Sequence, residues 1–131
     1  MSDRPGVVEW VVAIALAVFH ASYAALIVWH DTDLWSLRTY SAALAVPGSP
    51  TTWAVVAAAS AILLAAGTAT GRERLVAYGA ALSGLWLTFF ALMFGIAAVG
   101  DPTPVAQPGV IVYGCAAAIA VTRAGTAWGR R

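Results

Sequence analysis

The chain has 131 residues, of which 61% are hydrophobic and 10% are charged, and its formal net charge is +1. This length suits a single domain, and the composition is far more apolar than that of a soluble globular protein. Intrinsic disorder is excluded because the chain has too few charges to stay solvated as a coil. Nucleic-acid binding is not expected, because the arginines are scattered and form no basic patch interleaved with aromatic residues.

Four segments are apolar enough to span a bilayer, whose hydrocarbon core requires about 20 helical residues. They cover residues 7–29, 52–70, 75–99 and 105–123. The first is too long for a signal peptide and lacks a small-residue cleavage site at its end, so we treat it as retained. The fourth is long enough only if residues 105–108 belong to it and Arg123 extends its side chain toward the headgroups. We therefore expect a single all-α membrane domain.

The first outer loop, residues 30–51, is too long for a simple turn. Asp33 can cap the N-terminus of a short helix. The leucines that follow share one face of this helix, at Leu34, Leu37 and Leu44. We predict a helix over residues 33–46 that lies along the outer interface or caps the bundle. Ser49 and Pro50 then predict the N-cap and first turn of the second span.

The other connections are shorter. Residues 71–74 form a tight turn that makes the second and third spans an antiparallel hairpin. The loop before the fourth span is rich in proline, which makes it stiff and non-helical. Residues 124–131 are expected to be a cytoplasmic tail.

The arginines indicate the orientation, because positively charged residues near helix ends resist translocation. Six of the seven fall on one side of the predicted spans, at Arg4, Arg72, Arg74, Arg123, Arg130 and Arg131. We therefore predict a four-helix antiparallel bundle with both termini cytoplasmic. The chain has no lysine but abundant alanine, valine and arginine, which is typical of a GC-rich bacterial or phage genome. The expected location is the bacterial inner membrane.

Small residues recur at four-residue spacing in the third and fourth spans, where they would let neighbouring helices approach closely. The set comprises Gly79, Ser83, Gly84, Thr88, Gly95 and Gly114. These residues either pack the bundle internally or drive self-association. The pattern does not define a number of subunits.

One face of the first helix carries a line of polar residues. Glu9, His20 and Asp31 are spaced by eleven residues. Eleven residues make three helical turns, so the three side chains lie on one face about 16 Å apart. Tyr23 shares this face, and the alanines beside His20 would let another helix approach. We expect the face to point into the bundle or into a subunit contact.

His20 has two interpretations. A neutral histidine could be a structural residue, held by a hydrogen bond to a neighbouring helix. The candidate partners are Ser60, Tyr78, Ser83 and Thr88. Alternatively, an ionisable group at membrane depth could relay protons between Glu9 and Asp31 at the two mouths of a polar path. A metal site is not expected, because no second ligand lies three or four residues from His20.

Enzymatic activity is not indicated. The serines have no matching base, and the sequence has neither a glycine-rich phosphate loop nor an acidic pair placed for hydrolysis. No cofactor is expected.

The short N-terminus, the few helices joined by short loops and the arginine-rich tail "TRAGTAWGRR" resemble the small holin-type membrane proteins of phage lysis cassettes. The resemblance lies in size, topology and tail charge, and it covers the whole chain. It implies accumulation in the inner membrane and self-assembly into lesions that release or activate an endolysin. It assigns no role to any individual residue.

Two other functions remain open. The length is similar to that of the small multidrug transporters, which have four helices and a membrane-embedded glutamate in the first. Glu9 lies nearer the interface than that role requires, and "YGAALSGLWLTFFALMFG" matches their third helix poorly. The other alternative is an accessory or immunity subunit that binds a larger membrane partner through one of the small-residue faces.

Overall fold

The computed structural model describes residues 5–30, 34–100 and 106–130, and the regular structure of these residues is entirely helical. The α-helices are α1 (Val7–Trp29), α2 (Ser41–Leu44), α3 (Thr51–Thr70), α4 (Glu73–Gly100) and α5 (Gln107–Trp128). All but the short α2 are long and apolar enough to cross a membrane. The described part of the chain is therefore an all-α protein with four candidate membrane spans, as the sequence predicted.

The turn between α3 and α4 is as tight as its sequence predicts. Gly71 follows α3 in the left-handed conformation, with φ at 67°, which suits a residue without a Cβ. The amide of Arg72 donates to the carbonyl of Gly67 at 3.0 Å and closes the end of α3. Because α4 begins at Glu73, immediately afterwards, the two helices fold back against each other.

Glycines bring α3 and α4 into backbone contact. A Cβ added to Gly79 would lie 2.9 Å from the amide nitrogen of Leu64, and one added to Gly67 would lie 2.7 Å from that of Val76. The two contacts advance in opposite directions along the helices, so this pair is antiparallel. Close approach at small residues is how helices associate in lipid, where burial of apolar surface gives little driving force.

Two further glycines bring α5 against another face of α4. A Cβ on Gly84 would lie 2.9 Å from a methyl group of Val121. Nearer the other end of the pair, Gly109 lies directly against the ring of Phe94. This pair is also antiparallel. In contrast, α1 packs mainly on α3 and reaches α4 and α5 through fewer residues.

The interior between the helices is aromatic. Trp86 and Phe90 of α4 are almost completely buried and stack with 4.1 Å between ring centroids. Tyr23 of α1 packs edge-on against Trp86 at 4.8 Å. The indole N–H of Trp86 donates to the carbonyl of Trp53 in α3 at 3.3 Å, which satisfies a polar group that burial would otherwise leave unpaired. This cluster is where α1, α3 and α4 meet.

The single helix predicted over residues 33–46 is wrong. Leu34–Ser36 and Arg38–Tyr40 form separate 3-10 turns, and α2 adds only one α-helical turn. The loop buries Trp35 and Tyr40 against α4, whereas Leu37 is 55% exposed. The aromatic rings, which have more apolar surface to bury than the leucines, decide the conformation. Asp33 lies outside the described residues.

The cap predicted for the second span is also wrong. Pro50 occupies the N-cap position of α3, and the Ser49 hydroxyl donates instead to the carbonyl of Ala43 at 2.9 Å. The Trp53 indole donates to the same carbonyl at 2.9 Å. These two bonds fix the end of the loop onto the start of α3.

The third and fourth spans have different ends from those predicted. The third begins at Glu73 and not at residue 75, and the fourth continues to Trp128, through most of the predicted tail. Hydropathy places a boundary where charges begin, whereas a helix can continue through a charge that finds a partner. Glu73 and Arg123 are such partners. The fourth span begins at Gln107, and residue 105 lies outside the described residues.

Candidate functional site

His20 lies near the middle of α1 and is completely buried. Its Nε2 is 2.6 Å from Oγ of Ser83 in α4, one of the four partners named from the sequence. The imidazole also packs edge-on against the indole of Trp86, with 5.2 Å between ring centroids. His20 therefore joins α1 to α4 by a polar contact within an apolar interior, where such a bond has no competition from water.

Ser60 of α3 lies at the same level as Ser83 of α4. Ser60 precedes Leu64 by one turn and Ser83 follows Gly79 by one turn, so the register of α3 and α4 places the two serines opposite each other. Ser60 Oγ and His20 Nδ1 are buried, and neither has a hydrogen-bond partner among the described residues. The polar layer formed by His20, Ser60 and Ser83 thus has unused hydrogen-bonding capacity.

Three tyrosine hydroxyls meet near this polar layer. The Tyr113 hydroxyl of α5 donates to that of Tyr23 in α1 at 3.2 Å, and the Tyr23 oxygen is 3.3 Å from that of Tyr40 in the loop. Of the three, only Tyr23 is predicted from the sequence. Tyr40 and Tyr113 are not, because spacing within one helix cannot relate residues of three segments, although a tyrosine inside the apolar fourth span is a signal for such a role.

The end of the helices away from the three tyrosines, the charged end, holds a network of four charges. Arg123 of α5 donates to both carboxylate oxygens of Glu73, at 3.0 and 3.2 Å, and to the backbone carbonyl of Glu9 at 3.1 Å. Arg130 donates to the Glu9 carboxylate at 2.6 Å and lies 3.5 Å from Glu73. These hydrogen bonds to Glu9 raise the pKa of the Arg130 guanidinium above its ordinary value, so it stays charged. The network connects the ends of α1, α4 and α5.

This network corrects one expectation about charged residues. Arg123 does not extend its side chain to the headgroups, because its guanidinium is buried against Glu73 and the side chain is only 3% exposed. Glu9, which the sequence predicts at the cytoplasmic mouth of a polar path, is bound by Arg130. Asp31, the third residue of the predicted polar line, lies outside the described residues.

Glu9 and His20 are not brought together. The residues between them that face inward on α1 are Ala13 and Leu16, both buried and apolar. His20 and Tyr23 lie in one aromatic and polar region around Trp86, whereas Glu9 belongs to the charged end. The predicted line is therefore divided by an apolar layer.

The small residues fall into two groups. Gly79, Ser83 and Gly84 are buried in contacts between helices of the chain. The other three line an open apolar groove between α4 and α5, at Thr88, Gly95 and Gly114. A Cβ added to Gly95 or Gly114 would meet no atom within 4 Å. The small residues of α4 thus pack against neighbouring helices in its first half and line an uncovered surface in its second half.

Two further arginines of the topology prediction, Arg72 and Arg74, lie at the charged end. Both are exposed, and their side chains form no hydrogen bond or ion pair within the described ranges. Arg131 lies outside the described residues. Four arginines and two glutamates of the described residues lie at this end, so it carries excess positive charge.

Four long apolar helices, with polar side chains paired between them, define the class of this chain as a multi-pass α-helical membrane protein. Comparison with protein-family models, with curated proteins and with solved structures finds no match.

Proposed function

We propose that this chain is a holin-like protein of the bacterial inner membrane that self-associates and permeabilises the bilayer. In this proposal the four long helices form an antiparallel bundle with both termini in the cytoplasm. The charged end, with its excess of arginine, then faces the cytoplasm, in agreement with the preference of positive residues for that side. The origin is phage or prophage, as the resemblance in size and tail charge suggests.

The open groove between α4 and α5 is the observation that carries the proposal. Thr88, Gly95 and Gly114 line it with small side chains, and the apolar residues around it include Leu92 and Val110. In lipid, helices associate where small residues allow close packing, and a groove of this kind offers such packing to a helix of a second copy. The two glycines have the space to accept it.

The permeable lesion would form between copies and not through one copy. Within one chain, an apolar layer at Ala13 and Leu16 separates the charged end from His20. A water-filled lesion needs polar lining, and the polar groups between the helices of the chain are turned inward. We therefore expect permeabilisation to require separation of α1 from α4, which breaks the contact between His20 and Ser83.

The experiment is induced expression in a bacterium whose membrane potential is followed with a fluorescent dye. A holin-like protein collapses the potential abruptly and needs no added substrate. Gly114→Leu fills the groove and should delay or abolish the collapse. Gly125→Leu is the matched control, because Gly125 lies on α5 outside the groove and also has open space around its Cα. Normal growth and a stable potential at high expression of the unaltered protein would refute the proposal.

An accessory or immunity subunit is the second candidate, because the same groove would suit a helix of a larger membrane partner. Purification in a mild detergent distinguishes the self-associating protein from the accessory subunit. A homomeric particle that falls apart in Gly114→Leu supports self-association, whereas a stoichiometric second protein lost in that variant supports the accessory role. Proton-coupled transport is the weaker alternative, because Arg130 binds Glu9 and an apolar layer separates Glu9 from His20.

A further inference from the structure

A basic cleft opens between the start of α4 and the end of α5. Its walls are the side chains of Arg74, Tyr78, Trp128 and Arg130, which enclose about 370 Å³. An adjoining cavity of about 600 Å³ extends it across the turn after α3, over Gly71, Arg72, Glu73 and Leu75. Together these spaces can hold a group much larger than a single ion.

The charge of the basic cleft is not balanced by the protein. Arg72 and Arg74 are exposed and have no acidic partner among the described residues. The two carboxylates at this end, Glu73 and Glu9, already bind Arg123 and Arg130. The basic cleft therefore attracts an anion, and arginine is the side chain best suited to phosphate oxygens.

Aromatic rings beside the basic cleft indicate that it lies at the level of a membrane interface. Tyr78 and Trp128 pack edge-to-face with 5.5 Å between ring centroids, and their residues are 53% and 62% exposed. Exposed tyrosine and tryptophan at the ends of apolar helices are typical of the headgroup region. They form a collar between the arginines and the apolar part of α4 and α5.

An apolar strip continues from this collar toward the middle of the membrane. Leu85 lies two turns beyond Tyr78 on α4 and is 70% exposed, and Val121 lies two turns before Trp128 on α5 and is 57% exposed. Val121 packs against Gly84, the residue before Leu85 on α4. A basic site, an aromatic collar and an apolar strip thus follow one another in the order of a phospholipid's headgroup, glycerol region and acyl chains.

We propose that the basic cleft binds the phosphate of one anionic phospholipid, whose acyl chains lie along Leu85 and Val121. The recognised chemistry is a phosphate ester with net negative charge at the cytoplasmic interface. Basic pockets between transmembrane helices bind lipids of this kind. Its cytoplasmic location rests on the orientation in the proposed function, but the site does not depend on self-association or on permeabilisation.

Native mass spectrometry of the full-length protein in a neutral detergent tests the proposal. The protein is titrated with dioleoylphosphatidylglycerol or with dioleoylphosphatidylcholine, and it should retain one molecule of the anionic lipid in preference to the zwitterionic one. The double variant Arg72→Gln/Arg74→Gln should lower the affinity for phosphatidylglycerol about 25-fold, or about fivefold per charge. Arg38→Gln removes one arginine charge from the loop between α1 and α3 and should leave the affinity unchanged.

Three results would overturn the proposal. The first is equal affinity of the double variant and Arg38→Gln for phosphatidylglycerol, and the second is equal binding of the two lipids by the unaltered protein. The third is displacement of the lipid by inorganic phosphate, which would identify a site for free anions. Both exchanged arginines are exposed and their side chains are unpaired, so their replacement should leave the fold intact. Equal thermal unfolding of the variants in phosphatidylcholine micelles verifies this.

Discussion

Arg123 and Glu73 lie 50 residues apart in the sequence and form a buried ion pair, with 3.0 Å between guanidinium nitrogen and carboxylate oxygen. The Arg123 side chain is 3% exposed and that of Glu73 is 14% exposed. Because Arg123 also donates to the backbone carbonyl of Glu9, one guanidinium connects α5 to the starts of α4 and α1. The contact therefore determines how three membrane spans are aligned at the charged end.

Glu73→Gln should destabilise the fold by roughly 3 kcal/mol, because it leaves the Arg123 guanidinium buried without its counter-charge. The measurement is unfolding in bicelles by increasing fractions of a denaturing detergent. Glu73→Gln/Arg123→Met removes both charges and should lose less stability than Glu73→Gln alone. A double variant that is less stable than the single variant would show that the charges do not act as a pair.

Ser83→Ala should destabilise the protein by about 1 to 2 kcal/mol, because it leaves the His20 Nε2 buried without its hydrogen bond. Ser22→Ala is the control, since Ser22 lies on the exposed face of α1. In the same expression assay, Ser83→Ala should collapse the membrane potential earlier at equal protein level, because α1 separates from α4 more easily. Unchanged timing together with unchanged stability would contradict the structural role of this bond.

Gly79→Ala should lower the stability of the fold, whereas Gly95→Ala should leave it unchanged or raise it. The new Cβ at position 79 would lie 2.9 Å from the Leu64 amide nitrogen, so α3 and α4 must move apart. At position 95 the Cβ has open space, and alanine is the better helix former by about 1 kcal/mol. Thermal unfolding of the purified variants should show a lower midpoint for Gly79→Ala and an equal or higher one for Gly95→Ala. Equal losses in both would contradict the glycine contact.

Cysteine labelling tests the proposed orientation. The only cysteine, Cys115, is first replaced by alanine, and single cysteines are then introduced as Thr51→Cys at the start of α3 or Gly129→Cys after α5. A membrane-impermeant maleimide should label position 51 in intact spheroplasts and position 129 only after lysis. The reverse pattern would place the arginine-rich end outside the cell and refute the cytoplasmic location of the C-terminus.

The amino-acid sequence by itself determined the helical class and the number of spans. Both follow from local properties, because a run of about 20 apolar residues forms a helix in lipid whatever its neighbours are. The glycine at position 71 likewise determined the tight turn after α3, since the left-handed conformation is a property of that residue.

The tertiary structure decided which of several possible contacts each polar residue makes. The sequence offered four hydrogen-bond partners for His20, and only the register of α1 against α4 selects Ser83. From the sequence, Arg123 is expected to extend its side chain toward the headgroups, because hydropathy does not detect a partner such as Glu73, 50 residues away. The sequence treated the small residues of α4 as one stripe, whereas packing buries Gly84 and leaves Gly95 in an open groove. Hydropathy is a sum over one segment, but a contact depends on which faces of two segments meet, and no single segment contains that information.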